Sequence, residues 1–115
     1  MSKSCIFCRI VARTAPAEIV FETETVLAFR DIRPVAPIHI LVIPRQHLTG
    51  PADLDASSAG VMAEMFLAVK QIAAQEGFEA DGYRMVLNRG TNGGQEVPHL
   101  HLHILAGRRL RWPPG

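Results

Sequence analysis

Residues 99–105 read HLHLHIL, and this alternation of histidines with branched apolar residues decides the fold. In an extended strand, successive side chains point to opposite faces of the sheet. The segment therefore predicts a strand, which we expect to run from His99 to Ala106, with Leu100, Leu102 and Ile104 facing the core. The opposite face then presents a histidine row, with roughly 7 Å between alternate residues, that consists of His99, His101 and His103.

Two helices are predicted beside this strand. A short helix is expected over Ile6–Val11, and Pro16 follows it. The amphipathic pattern from Asp55 to about Glu76 predicts one long helix, capped by Asp55 or Ser57 and ended by Gly77. The apolar stripe of this helix, with spacings of three and four, consists of Val61, Met62, Met65, Phe66, Val69, Ile72 and Ala73.

Short apolar runs predict the remaining strands. These runs are rich in β-branched and aromatic residues and lie between polar or proline-containing segments. Together with the histidine strand and the two helices, they predict an α+β fold with a mostly antiparallel sheet of about five strands. The four further strands are expected over Ile19–Glu22, Val26–Arg30, His39–Pro44 and Tyr83–Asn88.

Composition narrows the function classes. The 115 residues suit a single domain, 1–115, because a chain of this length can bury one core of ordinary size. The formal net charge of +1 provides no broad field for a polyanion, so a protein that wraps nucleic acid is excluded. Since no signal peptide begins the chain and no apolar run approaches the roughly 20 residues of a membrane span, we expect a cytoplasmic protein without a membrane partner.

The histidine row is too costly to be only structural. Burying three imidazoles requires partners for all of their ring nitrogens. From the residues alone two chemistries remain open: a catalytic zinc held by the row, or attack of a neutral imidazole on phosphorus. Upstream, Asn88 and the pair Gly93 and Gly94 favour the second, because an amide and unhindered backbone N–H groups suit an anion.

Several segments together resemble a known family. HLHLHIL has the His-x-His-x-His-x-x pattern of the histidine triad (HIT) superfamily. LAFRDIRPVAPIHILVIPRQH, GYRMVLN, GGQEVPHLHLHIL and the ending WPPG resemble its Hint branch, the nucleoside phosphoramidases, over essentially the whole chain. The resemblance implies the HIT-like fold and a homodimer whose two sheets join into one. It also implies that the tail around Trp112 docks on the partner.

The resemblance implies an enzymatic activity that needs no cofactor for catalysis. Hint proteins hydrolyse nucleoside 5′-phosphoramidates, such as adenosine 5′-monophosphoramidate, to an amine and a purine nucleoside monophosphate such as AMP or GMP. By that resemblance His101 attacks the α-phosphorus and forms a nucleotidyl-histidine, and His103 donates a proton at the leaving group. His99 and His39 support His101, and the backbone carbonyl of residue 99 fixes its tautomer.

The same resemblance assigns the nucleotide-binding residues. Asp31 is expected to accept both ribose hydroxyls with its two carboxylate oxygens. The base is expected in an apolar slot whose residues would, without the resemblance, be ordinary core residues. This slot consists of Ile6, Phe7, Ile10, Phe29, Ile32 and Leu41. The α-phosphate is expected at His101, His103, Asn88, Gly94 and the backbone of Gln95 and Glu96.

Three positions depart from the Hint pattern. Many relatives have Ser or Thr where this chain has Glu96, and a carboxylate aimed at the phosphate would repel it. We therefore expect Glu96 either to turn outward, so that only its N–H is used, or to lower phosphate affinity. Pro98 replaces a common aromatic residue and Ala106 a frequent glycine, which affects loop shape.

Two cysteines, Cys5 and Cys8, lie three apart near the start of the chain. Some bacterial triad proteins hold a structural zinc with two such cysteines, a later histidine and the first triad histidine. The corresponding set here is Cys5, Cys8, His47 and His99, which suits tetrahedral zinc. Other Hint proteins bind no metal, so zinc, reduced thiols and a redox pair stay open.

Other functions remain as alternatives to the phosphoramidase. A nucleotide-binding or scaffold protein would keep the pocket without turnover, although the intact histidine set disfavours it. A hydrolytic zinc enzyme would lose activity on chelation. A dinucleoside polyphosphate hydrolase is disfavoured because the WPPG ending resembles the Hint branch.

Overall fold

The computed structural model describes residues 4–115. Its core is a five-stranded sheet in which every neighbouring pair is antiparallel. The strands are β1 (Ile19–Glu22), β2 (Val26–Arg30), β3 (Ile38–Pro44), β4 (Arg84–Leu87) and β5 (Leu102–Ala106). The α-helices are α1 (Ile6–Val11), α2 (Ala59–Glu76) and α3 (Gly90–Gly93), and a 3₁₀ turn spans Pro51–Asp53.

The sheet order β1-β2-β3-β5-β4 places β3 at the centre, between β2 and the histidine strand β5. In the register of these two central strands, Leu41 lies opposite His103 and His39 lies opposite Leu105. His39 and His103 therefore project from the same face on neighbouring strands, because residues two apart on a strand share a face. The order leaves β4 at one edge of the sheet.

The two faces of the sheet carry different side chains. One face packs under α2 and forms a core that includes Ile40, Val42, Leu102 and Ile104. This confirms the predicted inward face of the histidine strand. The other face is partly covered by α1 and carries a second buried cluster of Cys5, Phe7, Cys8, Ile10, Leu27, Phe29, Leu41 and Ile43. The histidine row lies on this second face.

The long helix begins later than predicted. Asp55 Oδ1 accepts hydrogen bonds from the N–H groups of Ser57 and Ser58 at 2.9 and 3.1 Å, which closes a separate turn. Regular helix starts only at Ala59, with Ser58 at the N-cap position, so Ser57 does not cap it. Gly77 ends the helix as predicted, in the left-handed conformation at φ +80°.

One residue of the predicted stripe of α2 does not face the core. Phe66 is 49% exposed, and Leu67 beside it is 55% exposed. The buried line of the helix instead includes Met65, Ala68 and Ile72. Because a single sheet covers only a narrow stripe of a helix, Phe66 lies at the border of the contact.

The histidine strand is also shorter than predicted. The ladder begins at Leu102 rather than at His99. Ahead of it, the Leu100 N–H donates to the carbonyl of Leu48, and the His99 N–H donates to the carbonyl of Val97. These loop partners take the backbone out of the ladder, so His99 and His101 precede β5 while His103 lies within it. The predicted strand over 83–88 is likewise trimmed to β4.

None of the helices that the structure describes between residues 4 and 115 has the length and apolar character needed to cross a membrane.

Candidate active site

His101 lies in the middle of the histidine row, and its protonation is fixed by a backbone group. The ring is buried, and its Nδ1 lies 2.7 Å from the carbonyl oxygen of His99. A carbonyl can only accept a hydrogen bond, so Nδ1 carries the proton and Nε2 of the neutral ring keeps its lone pair. The edge-on ring of Phe7 lies 5.1 Å away, centroid to centroid. In its neutral form His101 therefore presents the lone pair of an oriented Nε2.

His39 and His103 form a hydrogen-bonded pair whose ring orientations are also set by a backbone group. The Val35 N–H donates to Nδ1 of His39 at 3.1 Å, so the proton of neutral His39 is on Nε2. That Nε2 lies 2.9 Å from Nδ1 of His103 and 3.4 Å from Oδ2 of Asp31. Nδ1 of His103 consequently accepts, and the proton of His103 is on Nε2. We call Asp31, His39 and His103 the relay cluster.

Burial keeps both rings of this pair neutral at pH 7. Desolvation, with the neighbouring His101 and His39 next in effect, lowers the pKa of His103 to about 4, against the opposing attraction of Asp31. Desolvation also lowers the pKa of His39, again opposed by Asp31. His101 and His103 thus carry their single protons on opposite nitrogens while their ring centroids are 4.9 Å apart. One ring offers a lone pair at Nε2 and the other offers an N–H.

Four residues on the other side of His101 form what we call the thiol cluster: Cys5, Cys8, His47 and His99. Nε2 of His99 lies 2.9 Å from the carbonyl oxygen of Pro44, so it carries the ring proton and Nδ1 keeps its lone pair. That Nδ1 lies 3.5 Å from Sγ of Cys5 and 3.7 Å from Sγ of Cys8. Nδ1 of His47 lies 3.1 Å from Sγ of Cys8. The two cysteines are not joined by a disulfide.

The thiol cluster fits a structural zinc. Bond lengths of about 2.3 Å to sulfur and 2.0–2.1 Å to nitrogen make the edges of a zinc tetrahedron roughly 3.3–3.8 Å long. The separations of 3.1, 3.5 and 3.7 Å are close to those edges. Two sulfurs and two imidazole nitrogens complete the donor set, and both cysteines and His99 are buried, which is typical of a closed structural site.

The relay cluster does not fit a metal in the same way, although its three donor atoms also lie within 4.8 Å of one another. The Val35 N–H occupies the lone pair of His39 Nδ1. A metal on Nε2 would therefore require His39 to lose its last ring proton and become an anion. A hydrogen bond from Nε2–H to His103 needs no such change, so in the resting protein the cluster is a hydrogen-bonded chain rather than a metal site.

The apolar residues predicted for the base divide into two groups. Phe7, Ile10, Phe29 and Leu41 are buried together on the histidine face. Ile6 is 39% exposed and Ile32 is 89% exposed, so neither is enclosed by the chain itself. The structure thus brings four of the six together as a floor, and it leaves Ile6 and Ile32 with accessible apolar surface.

The predicted phosphate site offers fewer unpaired backbone N–H groups than expected. The N–H of Gly94 donates to the carbonyl of Thr91, and the N–H of Gln95 donates to the carbonyl of Gly90. These bonds close the short helix α3, at whose end Gly94 adopts a left-handed φ of +76°. Of the predicted main-chain donors at Gly94, Gln95 and Glu96, the Glu96 N–H is the one without a backbone partner within residues 4–115.

Asn88 directly follows β4, half-buried. The β4–β5 register pairs Val86 with His103 and Leu87 with Leu102. This pairing ends at Leu87 and Leu102, so Asn88 and His101 both lie just beyond the same end of the strand pair.

The side chain of Gln95 has a role that the sequence did not reveal. Its Oε1 accepts from the Gly90 N–H at 2.9 Å and from Nη1 of Arg89 at 3.1 Å. Its Nε2 donates to the carbonyl of Thr49 at 2.9 Å. Gln95 thus clamps the loop before the histidine row to the loop after β3, and no motif in the sequence signals this.

The Val35 donor was also missed, although a signal for it exists. Pro34 and Pro37 lack N–H groups, so between them only Val35 and Ala36 can donate. Proximity to His39 in sequence would have made Val35 a candidate partner.

Glu96 is exposed, which agrees with the first of its two expected orientations. Together with Ile6, Cys5 and His47, it lines a cavity of about 360 Å³ that also includes Ser4, Thr49, Val97 and Pro98. The cavity lies on the thiol-cluster side of His101. Only Ile6 and Glu96 of the predicted nucleotide-binding residues line it.

Comparison with known proteins gives consistent matches. Residues 12–110 match the model of the HIT domain family. A 14 kDa zinc-binding protein from Zea mays is 46% identical over 112 residues, which cover 96% of this chain and 87% of the relative. The crystal structure of a HIT family hydrolase from Legionella pneumophila has a TM-score of 0.94 at 46% identity and covers 97% of this chain and 100% of its own. That of a histidine triad nucleotide-binding protein from Candida albicans has a TM-score of 0.80 at 27% identity, with coverages of 97% and 85%.

Proposed function

The chain belongs to the HIT domain family, and from that membership we propose that it hydrolyses nucleoside 5′-phosphoramidates, with adenosine 5′-monophosphoramidate as a representative substrate. The products are an amine and a purine nucleoside monophosphate, AMP or GMP. The family binds nucleotides and includes hydrolases. The observation that carries the finer proposal is the 2.7 Å hydrogen bond from His101 Nδ1 to the His99 carbonyl, because it leaves the lone pair of the neutral ring on Nε2.

In the first step, the lone pair of His101 Nε2 forms a bond to the α-phosphorus. The electron pair of the P–N bond goes to the departing amine nitrogen, which takes the proton of His103 Nε2 and leaves the His103 ring as an imidazolate. Two groups stabilise this imidazolate until water reprotonates it. His39 Nε2–H donates to its Nδ1 at 2.9 Å, and the cationic nucleotidyl-His101 forms beside it.

In the second step, a water oxygen forms a bond to phosphorus and gives a proton to His103 Nε2. The bond between phosphorus and His101 Nε2 breaks, and its electron pair returns to the imidazole. The enzyme regains its starting protonation, and the nucleoside monophosphate leaves. Imidazole suits both steps because it is a nucleophile at neutral pH and a ready leaving group.

For the nucleotide we propose the contacts expected from the sequence. Asp31 Oδ1 already accepts from the Arg33 N–H at 2.7 Å, which fixes the carboxylate. Ribose hydroxyls can donate to its remaining lone pairs. Asn88 and the Glu96 N–H hold the phosphate beside the two catalytic rings, and the base lies against Ile32, Ile6 and the buried apolar floor.

We further propose that the thiol cluster binds a structural zinc, in line with the 14 kDa zinc-binding relative. Cys5, Cys8, His47 and His99 would hold it. The ion would supply a structural cross-link between these four residues and no step of the reaction. It would help to position His101, because the carbonyl of His99 is the group that orients that ring.

The protein is proposed to act as a cytoplasmic homodimer of single-domain chains. Reduced thiols that ligate zinc suit a reducing compartment. Strand β4 is at an edge of the sheet, where a second copy can continue it. The tail lies at the same edge: Arg84 of β4 donates to the carbonyl of Arg111 and lies 6.0 Å from the centre of the Trp112 ring. This ring stays 79% exposed on its own chain, so its apolar surface is available to a second copy.

An assay with adenosine 5′-monophosphoramidate tests the proposal. We expect release of AMP and ammonia in equal amounts by the wild-type chain and loss of this activity in His101→Ala. If the folded wild-type chain binds AMP but cleaves no P–N bond, the protein is a nucleotide receptor instead. Cleavage of dinucleoside polyphosphates in preference to phosphoramidates would assign it to a different hydrolase class.

A further inference from the structure

Arg108 lies outside the site described so far, yet it contacts the loop that orients the relay cluster. It follows β5 by two residues. Its Nη2 donates to the carbonyl oxygen of Val35 at 3.0 Å, and its Nη1 donates to the carbonyl of Arg109 at 3.3 Å. The guanidinium therefore links the segment after the histidine strand to residue 35, although the two are 73 positions apart in sequence.

Val35 is held from both sides. Its carbonyl accepts from Arg108, and its N–H donates to His39 Nδ1 at 3.1 Å. These two groups belong to the two peptide units that flank the same α-carbon, so an anchor on one limits the movement of the other. The side chain of Val35 is 60% exposed and gives the loop little packing of its own.

The Val35 N–H sets the direction of the hydrogen bond between His39 and His103, and thereby decides which nitrogen of His103 carries the proton. Without that donor, the proton of neutral His39 is free to move to Nδ1. His39 Nε2 then becomes an acceptor and His103 reverses, with its proton on Nδ1 and its lone pair toward the substrate. A reversed His103 cannot give a proton to a departing amine. The hydrogen bond from Val35 therefore selects the productive arrangement.

We propose that Arg108 is a positioning residue for the proton donor His103, acting through Val35 and His39. The inference rests on the phosphoramidase function proposed above, in which His103 protonates the leaving amine. It assigns to the segment after β5 a part in the leaving-group step that is distinct from nucleotide binding.

The role makes a specific kinetic prediction. An alkylamine leaves only with a proton, whereas p-nitrophenolate leaves without one. Loss of the hydrogen bond from Arg108 to Val35 should thus slow release of an alkylamine from an AMP phosphoramidate. It should leave the rate of cleavage of the p-nitrophenyl ester of AMP nearly unchanged. KM should change little for either substrate, since Arg108 contacts no residue proposed to bind the nucleotide.

Three full-length variants test the inference. Arg108→Met removes the guanidinium and keeps an apolar stem, and Arg108→Lys keeps a cation that can donate to the Val35 carbonyl. Arg109→Met is the matched control, because the neighbouring Arg109 contributes only its backbone carbonyl to the bonds described here. For each variant, kcat and KM are measured with both substrates, and long-range ¹H–¹⁵N spectra report which ring nitrogen of His39 and His103 carries the proton.

We expect Arg108→Met to lower kcat for the phosphoramidate by about 3- to 10-fold, the effect of losing one solvent-exposed hydrogen bond. The p-nitrophenyl ester should change less than 2-fold, and the His39 and His103 signals should shift toward a mixture of tautomers. Arg108→Lys should recover at least half of the activity, and Arg109→Met should match the wild type. Equal loss on both substrates, or unchanged ring signals in Arg108→Met, would overturn the proposal.

The rates and the spectra together distinguish a failure of this inference from a failure of the proposed function. If the wild-type chain cleaves no phosphoramidate, the function fails whatever Arg108 does. If it does cleave one and Arg108→Met keeps the wild-type tautomers and rates, only the positioning role fails.

Discussion

The thiol cluster and the relay cluster lie on either side of His101 and look alike as sets of donor atoms. Each brings histidine nitrogens and acidic or thiol groups within 4.8 Å of one another. They differ in which ring nitrogen the backbone has already engaged. The Pro44 carbonyl accepts a hydrogen bond from His99 Nε2–H, which leaves the lone pair of Nδ1 available to a metal. The Val35 N–H takes the lone pair of His39 Nδ1 and leaves Nε2–H to His103.

Proximity of donor atoms is therefore not enough to identify a metal site. A backbone carbonyl next to one ring nitrogen leaves a lone pair on the opposite nitrogen, whereas a backbone N–H leaves a proton there. In this protein His99 and His101 are examples of the first case and His39 is an example of the second. His101 lies between the two clusters: the carbonyl of the thiol-cluster residue His99 orients it, and the ring of the relay-cluster residue His103 lies 4.9 Å away, centroid to centroid.

The largest expected effect comes from removing the proton donor. His103→Gln should lower kcat on an alkylamine phosphoramidate by about 10²- to 10⁴-fold, the usual range for loss of a general acid. His47→Gln is the matched change in the thiol cluster and should lower kcat less than 10-fold. Steady-state kinetics on both variants check this. A larger loss in His47→Gln than in His103→Gln would reverse the assigned roles.

Next in size is the effect of metal loss on stability. Cys8→Ser should abolish bound zinc, measured by elemental analysis, and lower Tm by roughly 10 °C, because a structural site contributes directly to folding. The wild-type Tm should fall with a strong chelator and recover with zinc, and the Tm of the variant should respond to neither. Asp31→Asn, in the relay cluster, should keep one zinc per chain. Retention of zinc by Cys8→Ser would exclude the proposed ligand set.

A smaller effect on the free energy of unfolding is expected from a change in pH. The pKa of His103 is about 4 in the folded chain, whereas 6.5 is the usual value for histidine in an unfolded chain. As the pH falls, the unfolded chain therefore binds a proton before the folded chain does. The contribution of this ring to folding is complete above pH 6.5 and is lost between there and about 4, by at most about 1.4 kcal/mol per pH unit. Urea unfolding of the wild type and His103→Gln measures it. The difference in their pH slopes should appear in that window, and identical slopes would contradict a neutral, half-buried His103 ring.

The smallest expected effect concerns Glu96. Its exposed carboxylate is near the proposed phosphate position, so Glu96→Ser should lower KM by about 2- to 3-fold at low salt, and the difference should vanish at high salt. kcat should stay the same, since only the backbone N–H is used. A tenfold or salt-independent change in KM would show that the side chain itself enters the site.

Local patterns predicted most of the fold. The bounds of α1, β1 and β2 and the end of α2 at Gly77 agree with the structure, because short-range periodicity and glycine geometry determine them. The start of β5 was wrong because Leu100 bonds to the Leu48 loop, a partner 52 residues away in the sequence. The late start of α2 has a local cause, the Asp55 turn, which competes with the helix for the same backbone donors.

The site was predicted as a set of residues and, in one case, as a bond. Alternation placed the histidine row on one face, and the resemblance supplied His39, the thiol cluster and the contact of His101 with the carbonyl of residue 99. The other two decisive partners are backbone groups of Val35 and Pro44, which any sequence has at every position. Only the fold brings these two groups to the ring nitrogens, and thus only the structure assigns the tautomers of His39 and His99.

The most direct test of the central claim is a trapped intermediate. Wild-type protein is mixed with an AMP phosphoramidate, quenched within milliseconds without acid, and analysed by intact mass and peptide mapping. We predict one adenylyl adduct, located on His101, and none in His101→Ala. An adduct that persists in His101→Ala, or one that maps to His103, would contradict the assignment of His101 as the nucleophile.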